Sequence, residues 1–252
     1  MRKIALITGA SAGIGKAAAQ KLAENKYNII VTGRRLKPLE ELKNELGIKH
    51  KSDVHILNFD IRNQEETANA IDSLPEAWKK IDILINNAGL SVGLNTIQEG
   101  ELEDWERMID TNIKGLLYIS NKVIPLMIAR NSGHIVNITS IAGKEVYEKG
   151  NVYCATKSAV DAITKGMRID LLKHNIKVTS IAPGMVETEF SLVRFKGDKD
   201  RADDVYKGLI PLSGEDVADA ILFVVTRPAH VNINDMLIMP TSQASATYVN
   251  RT

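Results

Sequence analysis

A short apolar run, Lys3 to Thr8, breaks into Gly9-Ala10-Ser11-Ala12-Gly13-Ile14-Gly15, and beyond it Ile14, Ala18 and Leu22 recur at helical spacing. A strand that ends in three glycines and resumes at once as a helix leaves few architectures open. Glycines let the main chain approach a pyrophosphate, and a helix start offers unpaired N–H groups and partial positive charge. The spacing is Gly-x-x-x-Gly-x-Gly, not the more usual Gly-x-Gly-x-x-Gly, so the turn has to be weighed with the rest of the chain. The same residues also spell the Gly-x-Ser-x-Gly elbow of serine hydrolases, with Ser11 as nucleophile and His134, His174 and His230 as nominal partners. An elbow on the first strand would lack the earlier strands that build an oxyanion hole, which makes that the weaker reading.

Beyond the glycines the chain alternates regularly. Strand-like runs at Tyr27–Thr32, Val54–Asn58, Ile81–Ile85, His134–Thr139, Ile176–Ala182 and Asp235–Met239 are separated by helical patterns. One such helix is expected to end near Leu74 and another to run near Glu215–Val225. A long helical stretch from about Leu102 carries Trp105, Met108, Ile109 and Ile113 as an apolar stripe, with Asn112 inside it. Strands alternating with helices predict a doubly wound α/β fold, here a single domain over 1–252 with a mainly parallel, Rossmann-like sheet of seven strands. Ligands of such sheets bind beyond the carboxyl ends of the strands.

The residues at those ends have a pattern. The second strand runs into Gly33-Arg34-Arg35, where a dinucleotide site often carries an acid for the ribose hydroxyls. Two planar, permanently charged guanidinium groups there suit a ribose 2′-phosphate instead. Asp60 and Ile61 end the third strand as contacts for an adenine ring, and Asn86-Asn87-Ala88-Gly89 ends the fourth. The fifth ends at Ser140. Tyr153 and Lys157 come next, four apart at the start of a helix, and so share one face. A tyrosine ordinarily has a pKa of about 10. A fixed ammonium nearby favours its phenolate, which can then take a proton from an alcohol or return it to a carbonyl oxygen held by a serine hydroxyl. An isolated Tyr-x-x-x-Lys is usually a packed ring and a solvated charge; its company here argues otherwise.

Composition narrows the class. At 252 residues, 44% hydrophobic and 25% charged, the chain can bury a substantial core, and its net charge of +1 gives no reason to expect nucleic acid or acidic membranes as partners. The single cysteine, Cys154, excludes an internal disulfide framework and fits a reducing compartment. No apolar run is long enough to span a membrane, and the opening Met1-Arg2-Lys3 with Ile4–Ile7 is too short for a signal sequence. A cytoplasmic protein is expected.

Taken together, Thr8 to Gly15, Asn86 to Gly89, Asn112, Ser140, Tyr153-x-x-x-Lys157 and Pro183-Gly184 resemble, in order and over essentially the whole chain, the short-chain dehydrogenase/reductase family. The glycine spacing is that of its compact single-domain branch. The resemblance implies a catalytic set of Asn112, Ser140, Tyr153 and Lys157, with Asn112 positioning a water that relays the proton. It also implies NADP bound by Gly9, Ser11, Gly13, Ile14, Gly15, Arg34, Arg35, Asp60, Ile61, Asn87, Ala88, Gly89, Tyr153, Lys157, Pro183, Gly184, Val186 and Thr188. No metal is implied. A narrower resemblance, carried by Glu103-Asp104-Trp105-Glu106, Gly150-Asn151-Val152-Tyr153, Val193–Asp198 and Ala229–Asn234, is to the NADP-dependent 3-hydroxy acid dehydrogenases that act on serine and allo-threonine. Close relatives of these reduce sulfoacetaldehyde or other carbonyls, and homotetramers are usual.

The aperiodic stretch 185–212 mixes aromatic and basic residues with glycines and is expected to form a lid. Within it Arg194 and Lys196 are expected to meet a substrate carboxylate or sulfonate. Tyr147, Ser91 and Met185, each beside a motif, are further pocket candidates, with Ser140 and Tyr153 at the reacting oxygen. The polar tail 240–252 is expected to stay disordered unless a neighbouring subunit or the site ties it down. A sensor that binds NADPH without turnover is the remaining rival, and the complete Ser–Tyr–Lys set argues against it.

Overall fold

The computed structural model describes residues 2–252. The elements run β1 (Ile4–Ile7), α1 (Gly13–Glu24), β2 (Asn28–Gly33), α2 (Leu36–His50), β3 (Val54–Asn58), α3 (Gln64–Asp72) and β4 (Ile81–Asn86). Then come α4 (Leu102–Ile109), α5 (Leu116–Ile128), β5 (Gly133–Ile138), α6 (Asn151–Asp170), β6 (Ile176–Pro183), α7 (Phe190–Arg194), α8 (Lys199–Asp204), α9 (Gly214–Val225) and β7 (Asp235–Ile238). The strands form one sheet in the order β3-β2-β1-β4-β5-β6-β7. Every pairing is parallel, with Ile7 opposite both Val31 and Ile85, Asn86 opposite Asn137, and Ile138 opposite Ile181. The order turns back at β1 and β4, and a crevice opens beyond their ends.

Period-2 alternation sorts the strand side chains into two cores. Ala5, Ile7, Ile29, Val31, Ile83, Ile85, Val136 and Ile181 face α1, α2 and α9 through Ala18, Leu22, Leu39, Leu42, Val217 and Ile221. Ile4, Leu6, Ile30, Leu84, Ile135 and Val178 face the other way, onto Ile71 of α3 and Ile119, Val123 and Met127 of α5. Strands buried on both faces read as nearly continuous apolar runs, as parallel sheets require. No helix among the described residues is long and apolar enough to cross a membrane.

Two expectations need correction. The stretch from Leu102 is not one α-helix with a single stripe: Asp110–Gly115 winds as a π-helix between α4 and α5. The wider turn brings Thr111, Asn112 and Gly115 inward and leaves Ile109 37% exposed. The tail, in turn, is held by the chain itself. Buried Gln243 accepts the Met185 N–H through Oε1 at 2.8 Å, the Asn250 N–H bonds the Ser242 carbonyl at 2.8 Å, and the Thr252 N–H bonds the Gly208 carbonyl at 2.9 Å.

Candidate active site

The glycine turn is shaped by backbone. Gly9 and Gly13 have φ of +67° and +54°, a region that penalises other residues. A Cβ on Gly15 would lie well inside contact distance of Asn87 Nδ2 and 2.5 Å from the Gly9 carbonyl oxygen. Helix α1 starts at Gly13 with no side-chain cap at Ala12, so its first N–H groups stay free for an anion. Across the crevice, Thr8 Oγ1 accepts the N–H groups of Asn87 (3.0 Å) and Ala88 (2.9 Å), and Asn87 Nδ2 donates to the Thr8 carbonyl at 2.8 Å. Thr8 therefore stitches the first strand end to the fourth, a role that the sequence disclosed only as a motif letter. Below it, Asn86 bonds Ser120 and Asn137, and Asn137 bonds Thr164, a buried polar chain from β4 through β5 to α5 and α6.

The crevice holds about 440 Å³. On its wall stand Gly9, Ser11, Gly13, Ile14, Arg34, Arg35, Asp60, Ile61, Asn87, Ala88, Gly89, Ser140, Tyr153, Lys157, Pro183, Gly184, Val186 and Thr188, all of them expected there. Gly15 lies behind it as packing. At the far end Arg35 donates to Ser11 Oγ (3.1 Å) and to Glu189 (2.9 Å), while Arg34 reaches Asp60 at 3.8 Å. Asp60 is not a free adenine contact, because Arg62, unremarked in the sequence, grips its carboxylate in a fork at 2.6–3.1 Å. Partial burial pushes the Asp60 carboxyl up, but the bonds and charge of Arg62 outweigh it and hold the group below its ordinary range.

At the near end the strand and helix expectations converge. Ser140 starts a short 3-10 turn, accepting the Ala142 N–H at 3.1 Å, and Lys157 Nζ donates to the Ile138 carbonyl at 3.0 Å. Lys157 Nζ also stands 6.0 Å from the centre of the Tyr153 ring. Asn112 is buried, with both Nδ2 hydrogens committed, to the Leu90 carbonyl (2.8 Å) and Thr156 Oγ1 (3.0 Å), while its Oδ1 accepts the Leu90 N–H (2.8 Å). It fixes the turn after Gly89 and has no N–H left to offer a relaying water.

Burial dominates the electrostatics here. Burial pushes the Lys157 ammonium down to about 8, and burial pushes the Tyr153 phenol up, with nearby Tyr147 adding to the rise. What draws the phenol back down is Arg194 together with a hydrogen bond to Ser140.

The substrate candidates divide. Arg194 sits with its guanidinium carbon 5.5 Å from the rings of both Tyr147 and Tyr153 and 6.0 Å from that of Phe190, and it donates to the Tyr147 hydroxyl. Lys196 turns away, paired with Glu101 (2.8 Å) and Asp104 (2.9 Å) at the start of α4. Met185 is off the wall; its N–H meets Gln243 and its carbonyl accepts the Leu212 N–H at 2.9 Å, making it an anchor of the 185–212 segment. Ser91 is buried against Met108 beside a small second cavity that Tyr153 and Arg194 also border. The segment 185–212 holds two short helices, α7 and α8, with the Tyr206 hydroxyl bonding the Val186 carbonyl (2.9 Å) and Ser191 Oγ (2.7 Å).

The chain is similar to known proteins over nearly its whole length. The family model for short chain dehydrogenases matches residues 3–198. The chain is 46% identical over 244 residues to the NADP-dependent 3-hydroxy acid dehydrogenase of Escherichia coli K12, covering 96% of this chain and 97% of that one. It is 44% identical over 253 residues to sulfoacetaldehyde reductase 2 of Chromohalobacter salexigens, covering all of both. Among solved structures, the closed form of a serine dehydrogenase complexed with NADP+ superposes with a TM-score of 0.93 at 45% identity, covering 99% of this chain and 100% of that one. The serine dehydrogenase of Escherichia coli gives 0.83 at 41% identity, covering 96% and 99%. With the glycine turn, the Ser–Tyr–Lys set and the all-parallel sheet in place, the chain belongs to the short-chain dehydrogenase family and is an oxidoreductase acting on CH–OH groups.

Proposed function

We propose that this enzyme uses NADP to interconvert a small 3-hydroxy acid, of the serine, allo-threonine or 3-hydroxypropanoate type, and its carbonyl form. The observation that carries this reading is the convergence of Ser140, Tyr153 and Lys157 at one end of the crevice, with Arg194 packed on the Tyr153 ring beside the small second cavity. The fit of the cofactor rests on the uncapped start of α1 and the glycine turn for its pyrophosphate, and on Arg34 and Arg35 for a 2′-phosphate. When bound, NADP supplies the hydride acceptor or donor. Ser140 Oγ holds the substrate oxygen, and Tyr153 Oη takes the hydroxyl proton or returns it. Lys157 braces the strand end through the Ile138 carbonyl and faces the same ring. Asn112 keeps the Gly89–Leu90 turn in place. Arg194 meets the acid group of the substrate, and the 185–212 segment closes over it.

A second reading has its own support. A guanidinium fork accepts a sulfonate as readily as a carboxylate, and the identity to sulfoacetaldehyde reductase 2 extends over the whole of both chains. Purified protein with NADP or NAD and a panel of 3-hydroxy acids, followed by nicotinamide absorbance, separates the cases. Turnover of 3-hydroxypropanoate or L-serine with NADP supports the first. Silence on acids with NADPH oxidation by sulfoacetaldehyde moves the assignment to the second, and tight NADPH binding without any turnover leaves a sensor. A cytoplasmic homotetramer, judged by sedimentation and fractionation, completes the proposal.

A further inference from the structure

We propose that Lys144 is a positioning residue for Ser140: its pairing with Asp161 locks the turn that carries the serine to the helix face that carries Tyr153 and Lys157. This rests on the reading of Ser140 and Tyr153 given above.

The pattern on α6 does not end at Lys157. Tyr153, Lys157 and Asp161 follow one another at intervals of four, so they lie in one stripe, and all three are buried. Facing the end of that stripe, Ser140 to Glu145 form a tight hydrogen-bonded turn. The Ser140 carbonyl accepts the Gly143 N–H at 2.9 Å, and the Ile141 carbonyl accepts the N–H groups of Lys144 (2.8 Å) and Glu145 (2.9 Å). Such a turn moves as one body, so a displacement of Lys144 is felt at Ser140. The serine hydroxyl has only a weak hold of its own on β6, where Oγ donates to the Pro183 carbonyl at 3.4 Å.

Three contacts dock this turn on the helix, and they differ in kind. At Gly143 the two backbones touch, since a Cβ there would lie 2.7 Å from the Lys157 carbonyl oxygen. That contact limits how close the turn can come and does not hold it. Ser158 Oγ donates to the Gly143 carbonyl at 3.3 Å, a long and exposed bond. Lys144 Nζ donates to Asp161 Oδ1 at 2.6 Å and, on its other side, to Asp235 Oδ2 at 2.6 Å at the start of β7. The pair with Asp161 is the strong contact, because it is charge-assisted and the carboxylate side chain is only 10% exposed. Lys165 reaches the same carboxylate through Oδ2 at 2.7 Å, but its side chain is 63% exposed and it belongs to α6 itself. It neutralises Asp161 without touching the turn. Lys144 thus joins the serine turn, the helix of Tyr153 and the last strand at one ammonium.

The test asks whether Lys144 acts through the serine or only adds stability. Hydride transfer is followed by nicotinamide absorbance in single turnovers, with saturating NADP+ and 3-hydroxypropanoate, or with NADPH and sulfoacetaldehyde if the enzyme uses that instead. Lys144→Met is expected to slow the step by about ten- to a hundredfold, the cost of a misplaced reacting group. Its NADPH affinity, read by fluorescence titration, should stay unchanged, Lys144→Arg should recover most of the rate, and Lys165→Met should cost nothing. In a Ser140→Ala background, Lys144→Met should slow the step by less than about twofold more, because groups that act through one another are not additive. The same loss in both backgrounds, or a lower Tm with an unchanged rate, overturns the proposal and leaves the proposed function standing. A loss matched by equally weakened NADPH binding also overturns it. If Ser140→Ala alone leaves the rate unchanged, the reading of the serine falls and takes the inference with it. Should Lys144→Met not fold, Asp161→Asn in the same two backgrounds carries the test.

Discussion

The two walls of the crevice are built differently. On the cofactor side, Gly9 and Gly15 pack against Asn87 and Ala88, which the Thr8 hydroxyl and carbonyl tie to the first strand end, and Gly9 and Gly15 leave no room for a side chain. On the opposite side Phe190 and Tyr153 stand on the wall with Arg194 and Tyr147 packed against them, a cluster of side chains drawn from the 185–212 segment, a turn and a helix, and that segment is held by apolar packing of Phe190 and Val193, by ion pairs and by the chain tail. The first wall is rigid because backbone sterics fix it. The second can rearrange, since exposed ion pairs contribute only about 0–1 kcal/mol each. A family can keep one wall and vary the other, which fits the different acids and sulfonates in the names of the chain's relatives.

Substitutions on each wall sharpen that contrast. Tyr153→Phe, at the meeting point, is expected to lower kcat by about 10²- to 10⁴-fold with little change in KM or in NADPH binding, read by steady-state kinetics and fluorescence titration. A drop shared equally by NADPH affinity would show that the walls are not separable. Gly15→Ala forces Asn87 and Gly9 apart and is expected to cost about 1–3 kcal/mol, seen as a lower Tm and weaker NADPH binding with substrate selectivity unchanged.

Lys157 offers a pH handle between the walls. Its folded value is depressed to about 8 from 10.5, so between those limits the unfolded chain holds a proton that the folded chain has released. Stability from this group therefore rises with pH through that window, and below it the burial penalty is constant. In denaturant titrations, the stability of wild type relative to Lys157→Met should improve as pH climbs from about 8 toward 10.5. A flat difference would mean that the ammonium is better hydrated than its burial implies.

The smallest effect belongs to Lys196→Ala. Because Lys196 is paired with Glu101 and Asp104 and turned from the crevice, KM for a 3-hydroxy acid should change less than about twofold and stability by less than about 1 kcal/mol. A large KM increase would return Lys196 to the substrate.

Legibility in the sequence divided along the same line. The seven strands, the glycine turn, Ser140 and the Tyr153–Lys157 pair were readable because each rests on local chemistry: periodicity, φ preference, or helical spacing. Arg34 and Arg35 were readable because an acid was missing where one is common. Arg62 on Asp60, Lys196 on Asp104 and Gln243 on Met185 were not, since nothing in a chain marks which distant loop a long polar side chain will reach. The π-turn at Asn112 also left no local mark, and neither did the contest between burial and charge at Tyr153.

By itself, then, the sequence determined the sheet, its two cores, the place of the crevice and the residue types gathered there, all of which depend on near neighbours and periodic patterns. Only the tertiary structure decided which charges meet. It placed Arg194 against Tyr153, turned Lys196 away and tied the tail to the 185–212 segment. Those outcomes depend on desolvation and on distances between segments far apart in the chain, which no run of residues records.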